Sequence, residues 1–198
     1  MQKKNLIVQI ISILVLMGVA LTSTPVMTVQ AAINPPTLED FSPTLKISDS
    51  SQLVGVYVYD VMALKVVQQA STYSVSTKLG TATQFGLAGK YGSIGLLAHN
   101  YLSGSSFLNL EIGTEIILIF GDGSTKKYKV DTIKKYQALN PNDNFSDFIN
   151  LDKPTATITS DNVINQTYGA GDLVLQTCIA RNGILGWGRL FIIASLVE

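Results

Sequence analysis

Eight apolar or β-branched runs, none longer than nine residues, occupy positions 53–59, 64–67, 94–98, 114–120, 126–134, 155–159, 173–177 and 189–196. Runs this short, rich in Val, Ile, Thr and Tyr, suit a pleated surface better than an amphipathic helix. Gly121-Asp122-Gly123-Ser124 stands between the fourth and fifth runs and predicts a compact hairpin. The one helical signal follows Asn142 and Asp143, either of which can cap a short helix that shows Phe145, Phe148 and Ile149 on one side. Many short strands with few helices predict an all-β fold, a closed or nearly closed β-barrel of about eight strands with one or two short helices.

The N-terminal residues have a different pattern. Lys3 and Lys4 precede a mostly apolar run over 6–21, followed by Pro25 and the small-residue end Val29-Gln30-Ala31-Ala32. This is the three-part layout of a secretory signal peptide over 1–31 with cleavage after Ala31, the rival reading being an uncleaved membrane anchor. Either way the rest of the chain is expected to be exported, extracellular or at the cell surface. Positions 32–51 contain Pro and Ser with little periodicity and read as a linker or loosely docked arm. The globular domain is expected over 52–198, a length able to bury a core without disulfides or metal.

Charge and composition exclude several functions. Lys+Arg and Asp+Glu are 14 each, and removal of 1–31 leaves a net charge of −2, so no basic face for nucleic acid is implied. One Cys cannot form an internal disulfide, and one Cys with one His cannot build an ordinary zinc site. No cofactor is expected. Asp143, Asp147 and Asp152 are candidate loop acids for calcium, and their spacing is not that of an EF-hand.

An unpaired thiol in an exported chain is an oxidation liability and calls for a reason. Cys178 follows the apolar stretch Leu173-Val174-Leu175, His99 ends Gly95-Leu96-Leu97-Ala98, and Arg189 precedes Leu190-Phe191-Ile192-Ile193. Taken singly, these residues read as a small buried hydrophobe, a satisfied histidine and a snorkelling strand-end charge. Together they place a thiol, an imidazole and a guanidinium at the ends of three apolar strands.

Val174-Leu175-Gln176-Thr177-Cys178 resembles the sortase signature Thr-Leu-x-Thr-Cys, with Val in first place, and His99-Asn100 resembles the sortase histidine at its strand end. Gly188-Arg189-Leu190-Phe191-Ile192-Ile193 is similar to the strand that carries the sortase arginine, and the His, Cys, Arg order agrees. Phe107, Leu110, Gly113 and Glu115-Ile116-Ile117 are similar to a further family pattern, with Thr114 where Asp is common. The likeness covers about 53–197. Ala98 stands where sortases usually have Gly, and the Ile-Pro element frequent in the family is missing before Gln84, which leaves the subclass unassigned. Arg181 competes for the arginine role, but it lies in a Gly-containing connection, whereas Arg189 opens a strand able to pair beside the Cys strand.

The resemblance implies a sortase-like barrel and a cysteine transpeptidase: Cys178 attacks a peptide carbonyl, His99 protonates the leaving amine, and Arg189 stabilises the oxyanion. It implies as partners a sorting-motif peptide of exported proteins and an amine acceptor from cell wall or pilin, with membrane contact only if the N-terminal segment is retained. The long segment 138–170 corresponds to a groove-walling loop. Substrate contacts are expected from Ala98, Thr177, Phe145 and Phe148. Phe145, Phe148 and Ile149 equally suit a plug on the barrel side, and Trp187 is either a groove residue or a packing anchor. Two other readings stay open. A peptidoglycan L,D-transpeptidase shares the His, Cys, Arg order but has a Ser-x-Gly-Cys motif absent here, and the other reading is an exported β-barrel that binds without catalysis.

Overall fold

The computed structural model describes residues 34–154 and 156–197. The expected signal segment over 1–31 lies outside the described residues. Among those described, no helix is long and apolar enough to cross a membrane. Ten strands form one sheet: β1 (Leu53–Val58), β2 (Met62–Gln68), β3 (Thr81–Phe85), β4 (Ile94–Leu97), β5 (Glu115–Phe120), β6 (Thr125–Ala138), β7 (Phe148–Asn150), β8 (Thr157–Ile158), β9 (Leu173–Arg181) and β10 (Ile184–Leu196).

The spatial order is β10-β9-β4-β3-β2-β1-β5-β6, and pairing of β10 with β6 closes these eight strands into a barrel. β7 and β8 continue the sheet from β6 outside the ring. The 14-residue β6 serves both purposes, pairing with β5 near its start, with β10 along its length and with β7 at its end. Alternation along the strands sends Leu173, Leu175, Leu190, Ile192 and Ala194 into the barrel core, and Val174, Phe191 and Ile193 outwards into a second apolar cluster.

That outer cluster is covered by helix α2 (Ser160–Tyr168), which buries Val163, Thr167 and Tyr168 and is capped by the Thr159 hydroxyl, an acceptor for the Asn162 N–H. Residues 34–51, within the expected linker or arm, hold a one-turn helix α1 (Leu38–Phe41) and a 3-10 turn (Ser42–Leu45). Phe41 and Leu45 are buried against Val54, Tyr57 and Ile119, and burial of two such side chains contributes about 1.5 to 3 kcal/mol each. A bulge at 53–55 turns Val54 and Gly55 towards this arm, and a Cβ on Gly55 would collide with Leu45 Cδ1.

The Gly121-Asp122-Gly123-Ser124 hairpin forms as the sequence predicts. Gly123 has φ +87°, Ser124 N–H donates to the Asp122 carboxylate, and Phe120 N–H to the Ser124 carbonyl. The short helix expected after Asn142 or Asp143 does not form. Asp143 instead supports a turn by accepting the Phe145 N–H at 2.8 Å, and Phe148–Asn150 pairs with the free edge of β6 as β7. A sheet edge that satisfies backbone groups outcompetes a helix with so few apolar positions.

Candidate active site

The register of the sheet places the site. Cys178 on β9 lies directly opposite Arg189 on β10, and on the far side Arg189 lies opposite Tyr136 of β6. The parallel pairing of β4 with β9 matches Leu97 to Gln176, and the same offset carried past the end of β4 brings His99 level with Cys178. Cys178, Arg189 and Tyr136 thus form one transverse row over β9, β10 and β6, and His99 follows the end of β4 beside β9. One step down the strands runs a second row, Leu97, Gln176 and Phe191. Both rows face outwards, away from the barrel core.

Above them lies a cavity of about 490 Å³ lined by His99, Cys178 and Arg189 together with Ala98, Thr177, Phe145 and Phe148. Thiol, imidazole and guanidinium are each half-buried. Phe148 forms buried wall, and the 62% exposed Phe145 stands at the rim, edge-on to Tyr73 at 5.7 Å. The other walls come from β3 and the 3-10 turn Gly86–Tyr91, and from helix α2 with Val163, Ile164 and Tyr168. Asp161 is the one carboxylate among the lining residues.

Ala98 and Thr177 turn inwards and act on the site through the backbone. The Thr177 hydroxyl donates to the Ala98 carbonyl at 2.8 Å, both residues being buried, and this ties the end of β4 to β9 beside the thiol. The His99 carbonyl accepts the N–H groups of Leu102 and Gly104 at 2.9 Å each. Gly104 fits there because it lacks a Cβ, which would collide with the Thr177 hydroxyl and lie 2.5 Å from the Ala98 carbonyl. The His99 ring stacks on Tyr101, with centroids 5.1 Å apart. Thr177→Val is therefore expected to lower stability by about 1 to 3 kcal/mol in urea unfolding, because a buried acceptor loses its donor.

Arg189 is held by its own strand. Its Nη1 donates to the carbonyls of Gly186 at 2.8 Å and Gly188 at 3.0 Å, and the guanidinium lies 6.0 Å from the centroid of Phe148. The remaining N–H donors have no protein partner among the described residues. Arg181 is exposed and stacks at 4.9 Å on Trp187. Trp187 is not among the residues that line the cavity, and its ring packs under Arg181.

No family model matches the chain, and no curated protein does. Solved structures do. Sortase A of Listeria monocytogenes is similar at 18% identity, over 74% of this chain and 88% of that one, with a TM-score of 0.45. Sortase C1 of Streptococcus agalactiae, solved with MTSET, is similar at 14% identity over 78% and 70%, with a TM-score of 0.47. Sortase C of Streptococcus pneumoniae is similar at 16% identity over 81% and 84%, with a TM-score of 0.46. The likeness concerns the fold alone, and the chemistry is read from the side chains of this chain.

Several site residues escape a reading of the sequence. Tyr168, at the end of an unforeseen helix, is fully buried and donates its hydroxyl to Gln176 Oε1 at 2.6 Å. Gln176 enters the sequence pattern only as an arbitrary residue before Thr-Cys, though a carboxamide on so apolar a strand was the available signal. Tyr136 packs edge-on against Phe148 and Phe191, and its hydroxyl has no hydrogen-bond partner among the described residues. Asp143, Asp147 and Asp152 are not gathered into a cation site. Among the described residues, no three His, Cys, Asp or Glu side chains are placed to share a metal ion.

Burial pushes the Tyr168 phenol well above its ordinary value. A folded-state pKa raised in this way gives stability that is complete below the unfolded value near 10 and is lost as pH rises beyond it. Wild-type stability should fall by about 1.4 kcal/mol per pH unit above about pH 10 on account of this group. Tyr168→Phe should remove that part of the slope, as measured by denaturant unfolding at a series of alkaline pH values.

Proposed function

We propose that the protein is an extracytoplasmic cysteine transpeptidase of the sortase type. It cleaves a sorting-type peptide and transfers the acyl part to an amine from cell wall or pilin. The observation that supports this most is the convergence of the chain's one thiol, its one imidazole and a donor-rich guanidinium on a single cavity. The match of Val174 to Cys178 and of Gly188 to Ile193 with the sortase patterns adds to it.

The chemistry runs in two balanced halves. The Cys178 thiolate adds to the scissile carbonyl carbon, and Arg189 N–H donors receive the negative oxygen. Collapse breaks the C–N bond, the amine leaves with a proton from His99, and a thioester to Sγ remains. An incoming amine then adds to that thioester and gives a proton to neutral His99, and the thiolate leaves. One amide bond is broken and one formed, with no net redox change. No orienting carboxylate is assigned to His99, in keeping with a Cys-His-Arg set.

Mass spectrometry of the intact protein tests the reading. Incubation with a Leu-Pro-x-Thr-Gly-type peptide should add the acyl mass to Cys178, and an added glycyl amine should discharge it as the transpeptidation product. Acylation by a peptidoglycan stem peptide instead would favour the L,D-transpeptidase reading. Binding of the peptide with no adduct would favour a module that only binds.

A further inference from the structure

We propose that Gln176 is a substrate-positioning residue: its carboxamide, locked by Tyr168, donates a hydrogen bond to the main-chain carbonyl two residues before the scissile one. This rests on the transpeptidase reading for the identity of the ligand, and on independent geometry for the contact.

The lock has a defined polarity. Tyr168 is fully buried, and its hydroxyl donates to Gln176 Oε1 at 2.6 Å. Burial keeps the phenol protonated and hence a permanent donor. The oxygen of the carboxamide is thereby committed to the wall, and the two Nε2 N–H donors have no protein partner among the described residues. Gln176 lines the cavity between Leu97 and Phe191, its neighbours across the sheet. A pair of donors on an otherwise apolar stretch of groove must meet an acceptor once a ligand excludes water.

The spacing identifies that acceptor. Gln176 and Cys178 are two residues apart on one face of β9, about 6.6 to 6.8 Å along the strand. In an extended peptide, carbonyls two residues apart point the same way and repeat at the same distance. With the scissile carbonyl aimed at the row of Cys178 and Arg189, the second carbonyl upstream or downstream meets the row of Gln176. Enclosure decides between the two. Beyond Cys178 the strand runs to the exposed Ala180 and Arg181, whereas the Gln176 side is walled by Tyr168, Val163 and Phe191. The acyl segment must stay bound through both half-reactions while amines exchange, so it takes the enclosed side.

The test uses three variants and two measurements. Gln176→Glu keeps an acceptor for Tyr168 but loses both donors, Gln176→Met loses both functions, and Tyr168→Phe frees the carboxamide to rotate. Steady-state transfer should show KM raised about tenfold or more in Gln176→Glu and Gln176→Met with kcat within about twofold, the pattern of lost uniform binding. Tyr168→Phe should give a smaller rise in KM. Wild-type kinetics in Gln176→Glu would mean that Gln176 merely satisfies Tyr168, and would overturn the proposal. In a Cys178→Ala background, peptide binding by calorimetry should weaken when the second carbonyl upstream is replaced by a thiocarbonyl, and the Gln176→Met variant should be indifferent to that change. Equal weakening in both overturns the contact, as does failure of every peptide to bind. If binding follows this pattern but wild-type Cys178 forms no thioester, the contact stands and the transpeptidase reading falls. If thioesters form regardless of Gln176, the reverse holds.

Discussion

Cys178→Ala is expected to abolish covalent adduct formation and to lower transfer by a factor on the order of 10⁴ or more, the scale seen when a nucleophile acting within a catalytic unit is removed. The side chain is half-buried at the cavity floor, so truncation leaves solvent-connected space and little packing is lost. Stability should change by less than about 1 kcal/mol, in keeping with a surface-accessible substitution. Intact-protein mass spectrometry with peptide, paired with thermal unfolding, reads both. Retained turnover would take the thiol out of the mechanism. Loss of turnover with loss of fold would show instead that the thiol serves the barrel. Peptide affinity should survive, because the walls come from β3, β4, β10, helix α2 and the segment before β7, and truncation at Cys178 leaves Gln176 on β9 bonded to Tyr168.

The barrel was legible because strand alternation and the Gly-Asp-Gly-Ser turn are local signals, and closure follows from β10 pairing back to β6. The remaining elements have no local signal. Thr81-Ala82-Thr83-Gln84-Phe85 is a strand of small and polar residues, and it holds its place by parallel pairing with β2 and antiparallel pairing with β4. Helix α2 presents only Val163, Ile164 and Tyr168 as apolar positions, too few for a periodicity, and its stability comes from the outer cluster it covers. In the sequence Phe148 reads as a contact residue on a helix; the free edge of β6 that recruits it exists only in three dimensions. The site divides in the same way. Cys178, His99 and Arg189 carry reactive groups that draw attention in one dimension, whereas the Tyr168 to Gln176 bond joins two ordinary residues whose significance is positional.

Arg189→Lys should lower kcat by about 10² to 10³, with KM nearly unchanged, because an oxyanion donor acts mainly in the transition state. The physical reason is the fork. In the wild type one nitrogen of the guanidinium is spent on the carbonyls of Gly186 and Gly188, and the rest of the planar group stays available to the cavity opposite Cys178. An ammonium on a flexible stem can satisfy those carbonyls or reach the reacting oxygen, but its single nitrogen cannot hold both positions at once. Charge is conserved in the exchange, so a loss of this size would separate geometry from simple electrostatic attraction. Arg181→Lys provides the control. Its guanidinium stacks on Trp187 away from the cavity wall, and its replacement should leave kcat within about twofold, as expected for a surface contact. If Arg181→Ala is the more damaging change, the oxyanion donor has been placed on the wrong arginine. Partial recovery of Arg189→Ala by added guanidinium ion, with no recovery by ammonium, would attribute the effect to the fork itself.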